Sequence, residues 1–257
     1  MSIVTYSTQA RIATITLNRP EKRNALSAEL IQELMAAFQK AELDNTVKAV
    51  ILKAQGEAFC AGADLAYLKQ LQHFSYEENL ADSNRLKELF AKIYGFKKVV
   101  VAQVQGHALA GGCGLATVCD FIFAVPEARF GYTEVKIGFI PALVAIFLIR
   151  KLGEQKARNL LLSGELISAE KALELGLITR LVEAAQLEAA VNTFTRQLIE
   201  STSAQSLALT KELIARVQDL PLAEALDHAA TMNAKARATE DCKRGISAFL
   251  AKQELKW

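Results

Sequence analysis

Gln105-Gly106-His107-Ala108-Leu109-Ala110-Gly111-Gly112-Cys113-Gly114-Leu115-Ala116 is the stretch on which the reading of this chain turns. It follows an apolar run of strand length, Val99 to Val104, and leaves its glycines as a helix of small residues that ends near Cys119. A buried strand that breaks at glycines and enters a helix lets a ligand approach the main chain, because no Cβ stands in the way. The helix start also presents N–H groups to developing negative charge. Taken alone, Gly111-Gly112 fits close packing of helix on sheet equally well. The longer apolar stretch Val99 to Val125 tempts a membrane reading, but Gln103, Gln105, His107, the glycines and Asp120 interrupt it. It reads as strand, turn, helix and strand, with Phe121 to Ala124 the second strand. Ile140 to Ile149 is too short to span, so no transmembrane segment is expected.

A second stretch of the same character lies upstream. Phe59-Cys60-Ala61-Gly62-Ala63-Asp64-Leu65 is a tight turn of small residues in the loop that follows an apolar strand, Val47 to Lys53. In isolation it fits an ordinary turn with Asp64 as a helix N-cap. Farther out, Ile12 to Leu17 predicts a strand running into the turn Asn18-Arg19-Pro20. Ser27 is a suitable N-cap for a helix from Ala28 to about Leu43, with Leu30, Leu34 and Phe38 on one face. Helices are also expected through Leu71, over Ser83 to Lys97, after Pro141, and over Glu154 to Leu162. From about Glu183 onward everything reads as helix. Repeated strand-strand-helix units predict an α/β fold with helices covering the sheet. The change of texture divides the chain into a core, 1–190, and a helical C-terminal region, 191–257, expected to pack on neighbours.

The chain has 257 residues, 51% apolar and 23% charged, with a formal charge of +2. That balance gives no field arguing for nucleic acid or a membrane surface as partner. The cysteines Cys60, Cys113, Cys119 and Cys242 form no C-x-x-C pair, and His73, His107 and His228 are scattered, so neither a disulfide framework nor a metal site is predicted. Reduced thiols in a cytoplasmic setting are the expectation. Met1 to Thr8 lacks the pattern of a signal peptide.

Together and in this order, the two small-residue segments resemble the signature segments of the enoyl-CoA hydratase/isomerase (crotonase) superfamily. The resemblance extends through Asn18-Arg19-Pro20 with Asn24-Ala25-Leu26, Cys119-Asp120, Phe130-Gly131 with Glu134, Leu161-Leu162-Ser163-Gly164, Ala169 to Gly176-Leu177, and Gly245 to Phe249. It implies a crotonase-like spiral of strand-strand-helix units with a helical C-terminal trimerisation region, assembled as trimers that often pair into hexamers. It also implies an acyl-CoA substrate, coenzyme A being part of the substrate and no further cofactor needed. The N–H groups of Ala63 and Gly111 would form an oxyanion hole for the thioester oxygen. Ala61 and the stretch Ala63, Asp64, Leu65 and Ala66 would lie along the CoA adenine and pantetheine. Lys22 and Arg23 would meet CoA phosphates, and Phe249 and Lys252 would reach CoA from a neighbouring subunit. For Lys22, Arg23 and Lys252 a solvated surface charge fits as well.

Hydratases of this family usually carry two glutamates. The second stands here as Glu134; the position of the first is Gly114. A carboxylate in a largely apolar pocket has a raised pKa suited to acid–base work near neutrality, although Glu134 also fits a surface glutamate paired with Lys136. Tyr132 reads as packing rather than catalysis. Gly138-Phe139-Ile140-Pro141-Ala142-Leu143-Val144 is bulky where many hydratases have glycines, which predicts a reshaped, drier acyl end. The texture implies hydration or dehydration of a 2-enoyl-CoA, including branched enoyl-CoAs of leucine breakdown. On chemistry alone, the single glutamate fits double-bond isomerisation better. A non-catalytic acyl-CoA-binding protein is the alternative of another class.

Overall fold

The computed structural model describes residues 2–257; Met1, where the predicted core region begins and the signal-peptide reading starts, lies outside the described residues. The chain runs β1 (Val4–Gln9), β2 (Ile12–Leu17), α1 (Ala28–Leu43), β3 (Ala49–Ala54), β4 (Ala58–Cys60), α2 (Leu65–Leu71), α3 (Tyr76–Tyr94), β5 (Val99–Val104), β6 (His107–Leu109), α4 (Gly111–Thr117), β7 (Phe121–Ala124) and β8 (Arg129–Gly131). It continues through α5 (Ala142–Leu152), α6 (Glu154–Ser163), β9 (Ile167–Ser168), α7 (Ala169–Leu175), β10 (Arg180–Leu181), α8 (Leu187–Ser201), α9 (Ala204–Val217), α10 (Leu222–Ala238) and α11 (Glu240–Leu250).

The strands form a six-stranded sheet, β1-β2-β3-β5-β7-β10, and a four-stranded sheet, β4-β6-β8-β9. Strand pairs β3β4, β5β6 and β7β8 each give their first strand to the large sheet and their second to the small one. Successive units step sideways by one strand, so the chain spirals as an α/β fold. In the large sheet β1 is antiparallel to β2, and β2, β3, β5, β7 and β10 are parallel, with Ile12 opposite Ala49 and Ala49 opposite Val99. Every residue of β5 is buried, as expected of a parallel strand covered on both faces.

Helix α1 starts where Ser27 accepts from the Leu30 N–H, and it buries Leu30, Ile31, Leu34 and Phe38. Each such side chain contributes about 1.5–3 kcal/mol through its burial. Helix α8 packs across β3, β5 and β7, its Phe194 lying against the rings of Phe121 and Phe123. Position 190/191, the expected boundary, falls inside α8, whose Val191, Thr195 and Ile199 are buried. Beyond Thr202 the helices change character: across α9, α10 and α11 the one buried side chain is Met232. Leu222, Leu226, Ile246, Phe249 and Leu250 are exposed there. A side chain and a main-chain bond tie this region to its own core: Lys211 pairs with Asp120 and donates to Lys98 O at 3.1 Å, and the backbone N–H of Trp257 donates to the backbone carbonyl of Glu200 at 3.0 Å.

Three local expectations are corrected. Helix α3 covers Tyr76–Tyr94 rather than 83–97, because Ser75 and Glu78 form a reciprocal capping box that starts it earlier. The apolar strand begins at Ala49 rather than Val47, whose N–H is held by Asp44 O in a turn. Within the glycine turn, His107–Leu109 is itself a strand, paired with β4. Among the described residues no helix is long and apolar enough to cross a membrane.

Candidate active site

Strands β4, β6 and β8 are parallel neighbours, with Cys60 opposite Ala108 and Leu109 opposite Gly131. Their carboxyl ends therefore lie side by side, the edge at which open α/β sheets bind ligands. Each strand releases one element there: Ala61–Asp64 after β4, Ala110 and the start of α4 after β6, and Tyr132–Glu134 after β8.

The first element is held by Leu26. Its N–H donates to Gly62 O at 2.6 Å, and its carbonyl accepts from the Asp64 N–H at 3.0 Å. In such a parallel bridge the residue between, Ala63, turns its own N–H the other way. Gly111 is the first residue of α4, so its N–H has no acceptor inside the helix. Among the described residues neither N–H is bonded within the chain.

Between β6 and Gly111, Ala110 sits at φ 47° and ψ −125°, a conformation that a Cβ disfavours. It is held by its N–H donating to Gly131 O at 2.7 Å. The two turns touch: a Cβ on Gly62, itself at φ 90°, would lie 3.0 Å from Ala110 Cβ, and one on Gly112 would lie 2.2 Å from Cys60 O. Bare backbone at these points is what lets the segments close on each other.

Glu134 opens a 3-10 turn, Glu134–Ile137, after β8. Tyr132 before it is fully buried, its hydroxyl 2.7 Å from Thr117 Oγ1, which donates to Cys113 O at 2.8 Å. Tyr132 thus pins β8 to α4 and presents no group to the edge. Glu134 is half-buried, and its Oε2 is buried without a hydrogen-bond partner. Burial raises its pKa above the ordinary carboxylate value, against a smaller lowering by its own backbone N–H. No ion pair joins Glu134 to Lys136 among the described residues.

The remaining predicted residues divide into those the fold brings to this edge and those it does not. Ala61 is half-buried, its N–H donating to Arg23 O at 3.0 Å, so the turn carrying Lys22 and Arg23 lies against the same loop with both side chains exposed. Asn24, fully buried, clamps that turn: its Oδ1 accepts from Arg19 N at 2.9 Å and its Nδ2 donates to Gln55 O and Ala58 O at 2.8 and 2.9 Å. Ala63, Leu65 and Ala66 are exposed.

Asp64 is different. Its Oδ1 accepts from Ala66 N and Tyr67 N at 2.7 and 3.2 Å as the N-cap of α2, and its Oδ2 lies 2.9 Å from Arg19 Nη1, an ion pair off the hydrogen-bonding direction. Burial pushes Asp64 up, but the two amides together with Arg19 and Lys22 outweigh it and hold its pKa below the ordinary value. Its side chain serves the fold. Helix α11 packs against α9 and α10, with Phe249 82% exposed and Lys252 exposed, and neither side chain is brought to this edge within the chain.

Sequence reasoning missed the Asn24 clamp, the Arg19–Asp64 pair and what surrounds Gly114. A Cβ on Gly114 would lie 2.2 Å from Val144 Cγ1 and 3.2 Å from the Phe90 ring. Cys60, Cys113 and Cys119 are buried free thiols pushed up to about 12, 11 and 12 by burial, which makes them poor nucleophiles. Among the described residues no group of three His, Cys, Asp or Glu side chains is placed to hold a metal ion. A cavity of about 340 Å³ lined by Tyr94, Phe147, Lys151 and Lys211 lies at the far end of α4, where Lys151 Nζ donates to Thr117 O and Cys119 O, both at 2.9 Å.

The model of the enoyl-CoA hydratase/isomerase family matches residues 7–257. The chain is 42% identical over 245 residues, 95% of its length and 96% of the relative's, to a Thermus thermophilus protein provisionally named enoyl-CoA hydratase. It is 33% identical over 255 residues to the Escherichia coli 2,3-dehydroadipyl-CoA hydratase, covering 98% of this chain and 97% of that one. The crystal structure of an enoyl-CoA hydratase from Shewanella pealeana superposes with a TM-score of 0.93 at 32% identity, over 99% of this chain and 96% of that chain.

Proposed function

The chain belongs to the enoyl-CoA hydratase/isomerase family, and from that premise we propose that it adds water to, or removes it from, a 2-enoyl-CoA thioester, with Glu134 as acid and base. The observation that carries this reading is the orphaned Oε2 of a half-buried, pKa-raised Glu134 at the same sheet edge as two unbonded N–H groups, those of Ala63 and Gly111. The two N–H groups receive the thioester oxygen as it gains negative charge, each donor worth about 3 kcal/mol in the transition state. Water then adds through its oxygen to the β-carbon. One of its protons passes to Glu134, and Glu134 returns a proton to the α-carbon, so the product gains H2O and nothing else.

Around this centre, Ala61 and the main chain of Ala63 to Ala66 run along the adenine and pantetheine, and Lys22 and Arg23 meet the CoA phosphates. Coenzyme A enters as part of the substrate, with no other cofactor. The exposed apolar side chains of α10 and α11 pack against neighbouring copies in a homotrimer or a pair of trimers, which brings Phe249 and Lys252 to a neighbour's CoA. Buried free thiols suit a reducing, cytoplasmic compartment. A branched acyl group, such as the enoyl-CoAs of leucine breakdown, is the substrate that the chain's likeness to bacterial members of the family suggests.

A second reading, double-bond isomerisation, is favoured by Gly114, since a single carboxylate suffices to lift a proton from the α-carbon and return it to the γ-carbon. Purified protein given a linear 2-enoyl-CoA and a linear 3-enoyl-CoA in oxygen-18 water decides between them by mass spectrometry. Labelled 3-hydroxyacyl-CoA that falls about 10²–10⁴-fold with Glu134→Gln supports hydration. Shifted double bonds without label overturn it in favour of isomerisation. Products indifferent to Glu134→Gln remove Glu134 from the chemistry, and binding without turnover points to a non-catalytic acyl-CoA-binding protein.

A further inference from the structure

Helix α4 brings more to the edge than the N–H of Gly111. Residues three apart on an α-helix share a face, so position 114 stands one turn behind Gly111 on the same side. Gly114 places no atom there, and the volume beyond its Cα is already occupied: a Cβ would lie 2.2 Å from Val144 Cγ1 and 3.2 Å from Phe90 Cε2 and Cζ. Val144 comes from α5 and is 3% exposed; Phe90 comes from α3, is fully buried, and is braced edge-on by Phe147 at 6.2 Å between ring centroids. Valine in a helix has one strongly preferred rotamer, which keeps a methyl group over Gly114. Hydrocarbon therefore fills a side-chain position that α4 shares with its oxyanion donor.

We propose that Val144 is a specificity-determining residue, which fills the side-chain space of position 114 and thereby sets the ratio of water addition to double-bond migration. The inference rests on the reading of Glu134 as acid and base. Both reactions share charge on the thioester oxygen and proton traffic through Glu134. In water addition a water oxygen bonds to the β-carbon while one of its protons reaches the α-carbon through Glu134. In migration a proton leaves the α-carbon for Glu134 and returns at the γ-carbon, with no atom gained. The methyl groups of Val144 keep water and polar side chains off the α4 side of the enolate, where α4 itself carries no carboxylate, and so slow the first reaction relative to the second.

The test measures the ratio of oxygen-18-labelled 3-hydroxyacyl-CoA to double-bond-shifted product for the wild type, Val144→Ala, the double variant Val144→Gly with Gly114→Glu, and Glu134→Gln. Val144→Ala should raise the ratio about tenfold, the scale on which pocket methylenes discriminate. The double variant should raise it further and add a second ionisation to the pH profile of hydration. Gly114→Glu alone should unfold at lower temperature, since its Cβ meets Val144 head-on. A wild-type ratio in Val144→Ala, with cooperative unfolding retained, overturns the proposal; if Glu134→Gln still abolishes both products, the reading of Glu134 survives that failure. Products unchanged in Glu134→Gln overturn that reading and this proposal with it.

Discussion

The two sheets of this protein are built by the same repeating unit and have opposite properties. The large sheet uses strands such as β2, β3 and β5, six residues each, with cores of Ile, Val and Leu and helices over them. The small sheet uses strands of three residues, β4, β6 and β8, and a two-residue β9. Glu134, with its unpartnered Oε2, and both unbonded N–H groups follow strands of the small sheet. Burial of long apolar strands supplies stability, while short strands such as β4 and β6, which run out into Ala61-Gly62-Ala63 and Ala110-Gly111-Gly112, supply position. A core that is closely packed transmits a fixed geometry to an edge that has little packing of its own.

That division of labour is breakable. Phe38→Ala removes a fully buried ring that meets Phe96 edge-on at 5.3 Å. It should lower unfolding stability by about 3–5 kcal/mol in urea titration, with kcat of the remaining folded enzyme near wild type; a large kcat loss would mean that the two sheets are not separable. Gly111→Ala is the converse. Its Cβ would lie 3.0 Å from Leu26 Cδ1, so the Leu26 side chain, which sits between the two oxyanion segments, must give by a few tenths of an ångström. We expect kcat to fall about ten- to hundredfold with a nearly unchanged urea midpoint, and an equal loss in both would erase the contrast.

The smallest effect sharpens it. Burial raises the pKa of Glu134 in the folded state, so between its ordinary value and the raised one the folded chain binds more protons than the unfolded chain. Stability then falls as pH rises through that window and stays lower above it. Glu134→Gln should raise Tm modestly at pH 8 and leave it unchanged below about pH 4. The acid limb of wild-type kcat/KM should lie above the ordinary carboxylate range. An unchanged Tm at pH 8 would show that the edge carries no such strain.

How much of this was readable from the sequence follows the same line. The Ser27 cap with Leu30, Leu34 and Phe38 announces α1, and Val99 to Val104 announces β5, because periodicity needs only a few turns or residues to show. Strand β6 was hidden inside the glycine turn, since three residues cannot display a period of two against a background of small side chains. The first turns of α3 carry polar residues, so the apolar pattern began too late; the signal that would have found them is Ser75 with Glu78. The segments around Ala63, Gly111 and Glu134 were visible as segments, but the unpartnered oxygen of Glu134 was not. Nor was the contact of Val144 with Gly114, which joins two helices through packing that no local pattern encodes.

Strands β4 and β6 form a partnership with an order in time. Closing the chain so that Ala58 meets His107 carries an entropic penalty that grows with the intervening loop, and strands this short return few hydrogen bonds for it. The register of β3 with β5 spans a similar loop but recovers the cost with buried side chains. The large sheet is therefore expected to assemble first and to deliver the short strands to one another, with the small sheet the first unit to open on unfolding. A refolding sample should regain its circular dichroism before its turnover, and a warming one should lose turnover while still folded, as stopped-flow and thermal scans with both readouts would show.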